Sequence, residues 1–278
     1  MPDLSATARP AAALDQPAAH ELQAPPHWRV IEFISDLHLS ESSPRTVAAL
    51  LAHLAASDAD AIFLLGDVFE VWVGDDALAE TPAPFEAELL QALAAQTDRP
   101  ARPRWIGYLH GNRDFLVGPQ ALARCGWHTL PDPTVLCAFG QRLLLSHGDA
   151  LCLADHDYQR FRVQARNPAW QAQFLARPLA ERRAIARQLR DSSEHRKHEL
   201  GFAGYVDVDA AEALRWLQAA RAEVLVHGHT HRPAEHALDA SHQRWVLSDW
   251  DLDHQPPRAD LLRLTAAGLE RRQLDTIA

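Results

Sequence analysis

Cysteine is scarce: three residues in 278, Cys125, Cys137 and Cys152, with no C-x-x-C pair among them. An odd, scattered count argues against a disulfide framework and a thiolate zinc site, and fits a reducing cytosol. Long apolar runs are missing too. No stretch approaches the ~20 apolar residues that span a bilayer, so the chain is expected to be soluble or peripheral. Before Pro26 there is one basic residue, Arg9, and no apolar stretch of signal-peptide length. Residues 1–27, rich in Ala and Pro, are expected to form a flexible extension outside the fold. Positive charge is in deficit: 27 Lys and Arg against 37 Asp and Glu leave a formal net charge of −10. That balance disfavours general nucleic-acid binding, which depends on neutralising phosphates.

What is present is a large apolar fraction, 47%, and an unusual 16 His. The first allows a sizeable core and rules out wholesale disorder. Folding signals start at Trp28, and one domain is expected over residues 28–270. Residues 28–35, 61–65, 105–109, 142–146 and 223–226 read as strands, from β-branched, aromatic or continuous apolar runs. Residues 44–56 and 85–95 carry helical periodicity. The strands share one property. Each stops at a polar cluster: Asp36-Leu37-His38, Gly66-Asp67, Gly111-Asn112-Arg113-Asp114, His147-Gly148-Asp149 and Gly228-His229-Thr230-His231. In α/β sheets, ligands bind outside the carboxyl ends of the strands. Five such endings in one chain predict one shared site.

The residue types indicate its chemistry. Asp36, His38, Asp67, Asn112, His147, His229 and His231 mix oxygen and imidazole donors without thiolate. Seven donors are too many for one first-row ion with room left for substrate. They suit two ions sharing a carboxylate, of the kind that clamps the attacking and leaving oxygens of a phosphorus displacement. The donor set fits Mn²⁺, with Fe or Zn as alternatives.

These motifs resemble the calcineurin-like metallophosphoesterase superfamily. Within it, Gly66-Asp67-x-x-Glu70-x-Trp72-x-Gly74-Asp75-Asp76, Gly111-Asn112-Arg113-Asp114-Phe115 and His227-Gly228-His229-Thr230-His231-Arg232-Pro233 are similar to the UDP-2,3-diacylglucosamine diphosphatase family of lipid A biosynthesis. The resemblance runs from about Val30 to Trp250. It implies an α/β, four-layer sandwich of two packed mixed sheets flanked by helices, with a dinuclear Mn²⁺ centre. It implies one ion on Asp36, His38, Asp67 and His231, and a second on Asp67 (bridging), Asn112, His147 and His229. It also implies attack of metal-activated water on the α-phosphorus, giving UMP and 2,3-diacylglucosamine 1-phosphate. Asn112, Arg113 and His229 would be catalytic and would also contact substrate. Asp155, Ser193 and Lys197 match further substrate-binding positions, although Lys197 stands where the family has Asn. Many superfamily members carry His after the metal-binding Asn, where it can protonate an alkoxide. Arg113 takes that place here. A departing phosphate needs positive charge rather than a proton, so Arg113 points to anhydride cleavage.

Residues 156–200 differ in composition and are expected to form a helical cap insertion. From His156 to Lys197 there are ten basic and four acidic residues, interleaved with Phe161, Trp170, Phe174 and several Leu. Such helices suit an acylated UDP-sugar and an anionic membrane surface. The protein is therefore expected to be cytoplasmic and peripheral on the inner membrane. Phe161, Trp170 and Phe174 either contact acyl chains or pack the cap's own core. Asp75 and Asp76 read as turn or helix-capping residues. Asp114 reads as a residue that orients a neighbour, and His227 as a possible support. The Asp249, Asp251, Asp253 and His254 cluster reads as a solvated acidic loop. Two other readings stay open: a soluble nucleotide or nucleotide-sugar hydrolase on the same core, and a metal-bound scaffold without turnover.

Overall fold

A computed structural model describes residues 19–97, 104–200 and 206–274; of 191–200 it describes the helical backbone alone. The elements run in the order β1 (His20–Gln23), β2 (Ile31–Ile34), α1 (Pro44–Ala56), β3 (Ala61–Leu65), α2 (Phe85–Thr97), β4 (Trp105–Leu109), α3 (Pro119–Cys125), β5 (His128–Thr129), β6 (Thr134–Ala138) and β7 (Gln141–Ser146). They continue with α4 (His156–Ala165), α5 (Pro168–Leu175), α6 (Leu179–Leu200), α7 (Ala210–Ala220), β8 (Val224–His227), β9 (Ala234–Ala237), β10 (Gln243–Val246), β11 (Asp260–Thr265) and β12 (Gly268–Gln273). The strands form two six-stranded mixed sheets, β1-β6-β7-β8-β10-β9 and β12-β11-β2-β3-β4-β5.

Side chains alternate across a strand, and that period builds the layers. Ile31 and Phe33, then Ala61, Phe63 and Leu65, face Leu143, Leu145 and Val226 of the other sheet in one sealed core. The alternate residues Ile34, Ile62, Leu64, Ile106 and Tyr108 face outward beneath α1, α2 and α3. Leu144 and Leu225 face outward beneath α7, against Ala213, Trp216 and Leu217. The result is the four-layer helix–sheet–sheet–helix sandwich expected from the motifs. Both sheet interiors are buried, which is why β3 reads as an unbroken apolar run.

The N-terminus departs from the sequence expectation. Residues 20–23 belong to the fold: β1 pairs in parallel with β6, from His20 opposite Thr134 to Gln23 opposite Cys137. Trp28 is buried against Phe63 and Trp105. A short polar edge strand such as His-Glu-Leu-Gln is set by its pairing partner and carries little propensity of its own.

The parallel core positions the site. β2, β3 and β4 are parallel neighbours in one sheet, and β7 and β8 in the other. Their carboxyl ends therefore open on the same edge of the sandwich. After them, the chain turns through left-handed backbone. Asp36, His38, Asp67, His229 and His231 all have positive φ, between 47° and 67°. Such conformations cost of order 1–3 kcal/mol for a non-glycine residue and gather where function over-determines them.

α4, α5 and α6 cover part of this edge. Phe115, which follows the Arg113-Asp114 turn, meets Phe161 and Trp170 at 6.4 Å each, and Trp170 stacks on Phe174 at 5.2 Å. These rings join the cap to the sandwich. Arg182 of α6 pairs with Asp76 and donates to the Val73 carbonyl, and Arg183 pairs with Glu80. Asp75 accepts from the Gly118, Gln120 and Ala121 N–H groups at the start of α3, a capping position.

Candidate metal centre

The strand ends bring all seven expected donors into one place. Among the described residues, two groups have ligand atoms close enough to hold an ion: Asp36, His38 and His231; and Asp36, Asp67 and His147. They share Asp36, which supports a centre for two ions. Within the first, His231 Nε2 lies 3.3 Å from Asp36 Oδ1 and 3.4 Å from His38 Nε2. Asp67 Oδ2 lies between the two sides, 3.7 Å from His147 Nε2 and 4.0 Å from His38 Nε2. Asn112 Oδ1 joins the second side, 2.9 Å from His147 Nε2 and 2.8 Å from His229 Nδ1.

Two glycines make this packing possible. A Cβ on Gly111 would stand 2.0 Å from Asp67 Oδ1, and one on Gly228 would stand 2.2 Å from Asp36 Oδ2. Only a bare backbone can pass so close to either carboxylate. Asp114 ties the loops together, accepting from the Gly111 N–H at 2.7 Å and the Val68 N–H at 2.8 Å. The Arg113 N–H donates to Asp67 Oδ1 at 2.7 Å.

The electrostatics ask for cations. Asp36 and Asp67 are 0% and 2% exposed. Burial, with the charges of Asp114 and Asp36, pushes Asp67 up despite His147 and His38 beside it. Burial works against Asp36 as well, but His231 holds its carboxyl well below the usual range. Burial pulls His147 down, yet Asp67 and Asp36 outweigh it and raise the ring to about 9. Burial likewise opposes His231, which Asp36 and Asp249 raise to about 10. Without metal, the centre thus recruits protons onto its own ligands. Oxygen and imidazole donors, two buried carboxylates and glycine cradles fit a pair of divalent cations.

One expectation follows for loading. Both rings are raised above the usual 6.5, so both hold their second proton at neutral pH. Ligation needs that lone pair. Binding of Mn²⁺ at pH 7.5 should therefore release about two protons, and affinity should rise with pH until about 9–10. Calorimetry in buffers of different ionisation enthalpy measures the release directly; metal uptake without proton release would contradict this.

Several supporting residues had no assigned role in the sequence. His231 Nδ1 faces Asp249 Oδ2 at 3.4 Å, and Asp249 is held in turn by Arg258 at 2.5 Å. Asp249 is therefore a buried support of a ligand, which corrects its reading as part of a solvated acidic loop. Asp253 is also engaged, accepting from the Arg45 and Thr46 N–H groups of α1. Asp149 is fully buried and accepts from Tyr158 Oη at 2.5 Å and Arg162 Nε at 2.8 Å. The Tyr158 ring lies against His229, centroids 5.8 Å apart. Arg166 donates to the Gly111 carbonyl at 2.9 Å, just before Asn112. Glu70 touches His38 and Arg113. Of these, Glu70 and Asp149 sat inside the motifs; the others are positioned by tertiary packing.

The remaining expected contacts are placed as follows. Asp155 caps α4, accepting from the Tyr158 N–H at 3.1 Å. Ser193 and Lys197 fall within residues 191–200 of α6, whose side chains lie outside the described residues. His227 Nδ1 bonds to the Gly228 carbonyl and does not join either ligand group.

The calcineurin-like phosphoesterase family matches residues 30–233. A UDP-2,3-diacylglucosamine hydrolase from Chromobacterium violaceum is 49% identical over 226 residues, covering 79% of this chain and 90% of that protein. One from Bordetella parapertussis is 44% identical over 242 residues, covering 85% and 92%. Among solved structures, a dimetal phosphatase from Danio rerio is 13% identical, with a TM-score of 0.48 and coverage of 88% and 95%. With the match spanning both ligand groups, the chain belongs to the calcineurin-like phosphoesterases and, within them, to the family of the UDP-2,3-diacylglucosamine hydrolases.

Proposed function

We propose that this protein hydrolyses the pyrophosphate bond of UDP-2,3-diacylglucosamine, giving UMP and 2,3-diacylglucosamine 1-phosphate. The observation that carries the reading is the pair of ligand groups sharing Asp36, with Arg113 rather than His following Asn112. Asp36, His38, Asp67 and His231 would hold one ion; Asn112, His147 and His229 the other, with Asp67 between them. When bound, the two ions lower the pKa of water toward neutrality and offset charge growing on the phosphorus oxygens. Burial and the charge of His147 lower His229 to about 3, so its ring stays neutral and offers a lone pair. Arg113 supplies the fixed positive charge that a departing phosphate needs. No proton donor is required at that oxygen, because the leaving phosphate is already a stable anion.

The cap supports an acylated substrate. Between residues 71–78, Glu86 of α2 and α6 lies a cavity of about 200 Å³, lined by Val71, Trp72, Val73, Ala77 and Leu78, with Arg183, Arg187 and Arg190 outnumbering Glu86 among its charged residues. An apolar floor with a net positive rim suits acyl chains below a phosphate. No helix among the described residues is long and apolar enough to cross a membrane. A peripheral position on an anionic inner-membrane surface, with the basic cap toward the lipid, is part of the proposal.

The site of attack is testable by isotope. Turnover in ¹⁸O-water should label the phosphate of UMP, because the α-phosphorus takes the oxygen. Label in the sugar 1-phosphate would contradict the reading.

A further inference from the structure

Glu70 stands at the meeting point of the metal centre, the catalytic turn and the cap. Its carboxylate is mostly buried, 12% exposed. Oε2 lies 3.0 Å from His38 Nδ1. That buried nitrogen makes no aligned hydrogen bond, so the Glu70 oxygen is the charge it faces. Oε1 receives two guanidinium groups: Arg113 Nη1 at 3.5 Å and Arg190 Nε, from α6, at 3.1 Å. The two oxygens thus have different partners.

The backbone fixes this arrangement on the core side. His38 N–H donates to the Asp67 carbonyl, Leu39 N–H to Val68, and Glu70 N–H returns to Leu39, at 3.0, 2.9 and 3.1 Å. Glu70 therefore cannot shift without moving the loop that carries His38. Of its three partners, Arg190 alone belongs to the cap. Together with the Arg182–Asp76 and Arg183–Glu80 pairs, it seats α6 along residues 70–80.

We propose that Glu70 is a positioning residue that orients His38 toward the metal centre with one oxygen and holds Arg113 and the cap's Arg190 as a pair with the other. A carboxylate facing a ligand histidine sets which ring nitrogen carries the proton, leaving Nε2 free for the ion. Two like-charged guanidinium groups stay close to one another only while an anion lies between them. A neutral amide removes the charge from both roles. With its oxygen toward His38, its NH₂ faces the arginines; turned over, the NH₂ faces Nδ1 and favours the wrong tautomer. The part of this proposal concerning Arg113 rests on the pyrophosphatase reading; the part concerning His38 does not.

The test uses the full chain as wild type, Glu70→Gln, Arg113→Ala and the double variant. Two quantities are read: the Mn²⁺ dissociation constant, from the electron paramagnetic resonance signal of free Mn²⁺, and kcat for UMP release at saturating Mn²⁺. Glu70→Gln should weaken Mn²⁺ binding about 10–100-fold. At saturating Mn²⁺ it should still lose about tenfold or more in kcat, and the double variant should be no slower than Arg113→Ala alone, because both changes remove one interaction. Glu70→Asp keeps the charge, should fall between wild type and Glu70→Gln in both assays, and serves if the amide variant does not fold. Unchanged Mn²⁺ affinity, or losses in kcat that multiply, would overturn the proposal. Wild-type protein that fails to cleave UDP-2,3-diacylglucosamine would remove the substrate reading, while the Mn²⁺ titration still decides the role of Glu70 at His38.

Discussion

Asp36→Asn is expected to lower kcat for UMP release by about 10³-fold or more, equivalent to ~4 kcal/mol, with no recovery at millimolar Mn²⁺. Asp36 is a ligand of the first ion in this reading and also lies within ligand distance of Asp67 and His147, so its loss disturbs both sides of the centre. Its carboxylate also accepts from the His229 N–H, at 3.1 and 2.9 Å to its two oxygens, and from Ser35 Oγ at 2.6 Å. Asn keeps the volume and one acceptor. It loses a buried negative charge that a pair of cations would need, and its NH₂ must face a donor. The fold should survive, because the removed charge is a buried one that costs stability without a metal. Steady-state kinetics with an Mn²⁺ titration, beside a thermal melt, measures both sides. A folded variant within tenfold of wild type would show that the shared carboxylate is not central.

Arg113→Ala should reduce kcat on the pyrophosphate about 10²–10³-fold, or ~2.7–4 kcal/mol, the range for removing one preorganised charge from a transition state. The backbone N–H on Asp67 survives the substitution, so the metal ligand keeps its partner. The loss should be smaller on a phosphomonoester with a good leaving group, such as p-nitrophenyl phosphate, where an aryl oxide departs without help. Arg113→His should lie closer to wild type on esters than on the anhydride. Equal losses on both substrate classes would count against charge stabilisation of the leaving phosphate.

Much of this site was legible in the sequence because its chemistry is local. An apolar strand that stops at Asp, Asn or His beside Gly shows both the element and the ligand. Parallel pairing then brings those ends together without further information. Asp75 was legible as a capping residue, although the N–H groups it accepts from belong to the start of α3, more than forty positions later. Asp249 was not. Its neighbours are acidic, and its burial comes from Arg258 and from the ring of His231, eighteen positions earlier, which composition does not report. β1 was hidden for a related reason: its pairing with β6 depends on a partner more than a hundred residues away. Phe161, Trp170 and Phe174 were open between lipid contact and packing; their stacking onto one another and onto Phe115 is packing between cap and core. Glu70 lay in plain view in a quoted motif. Its significance needed Arg190, a residue on a helix 120 positions later.

The proposed reaction joins a dinuclear centre to a lipid-bearing nucleotide substrate. It is tested most directly by following UMP release from UDP-2,3-diacylglucosamine and from deacylated UDP-glucosamine, each with Mn²⁺ and with a chelator. Turnover should require Mn²⁺ and strongly prefer the acylated substrate, since the apolar cavity beneath α6 has no use for a bare sugar. Equal turnover of both substrates would contradict the role assigned to the cap, and turnover undiminished by the chelator would contradict the metal centre itself.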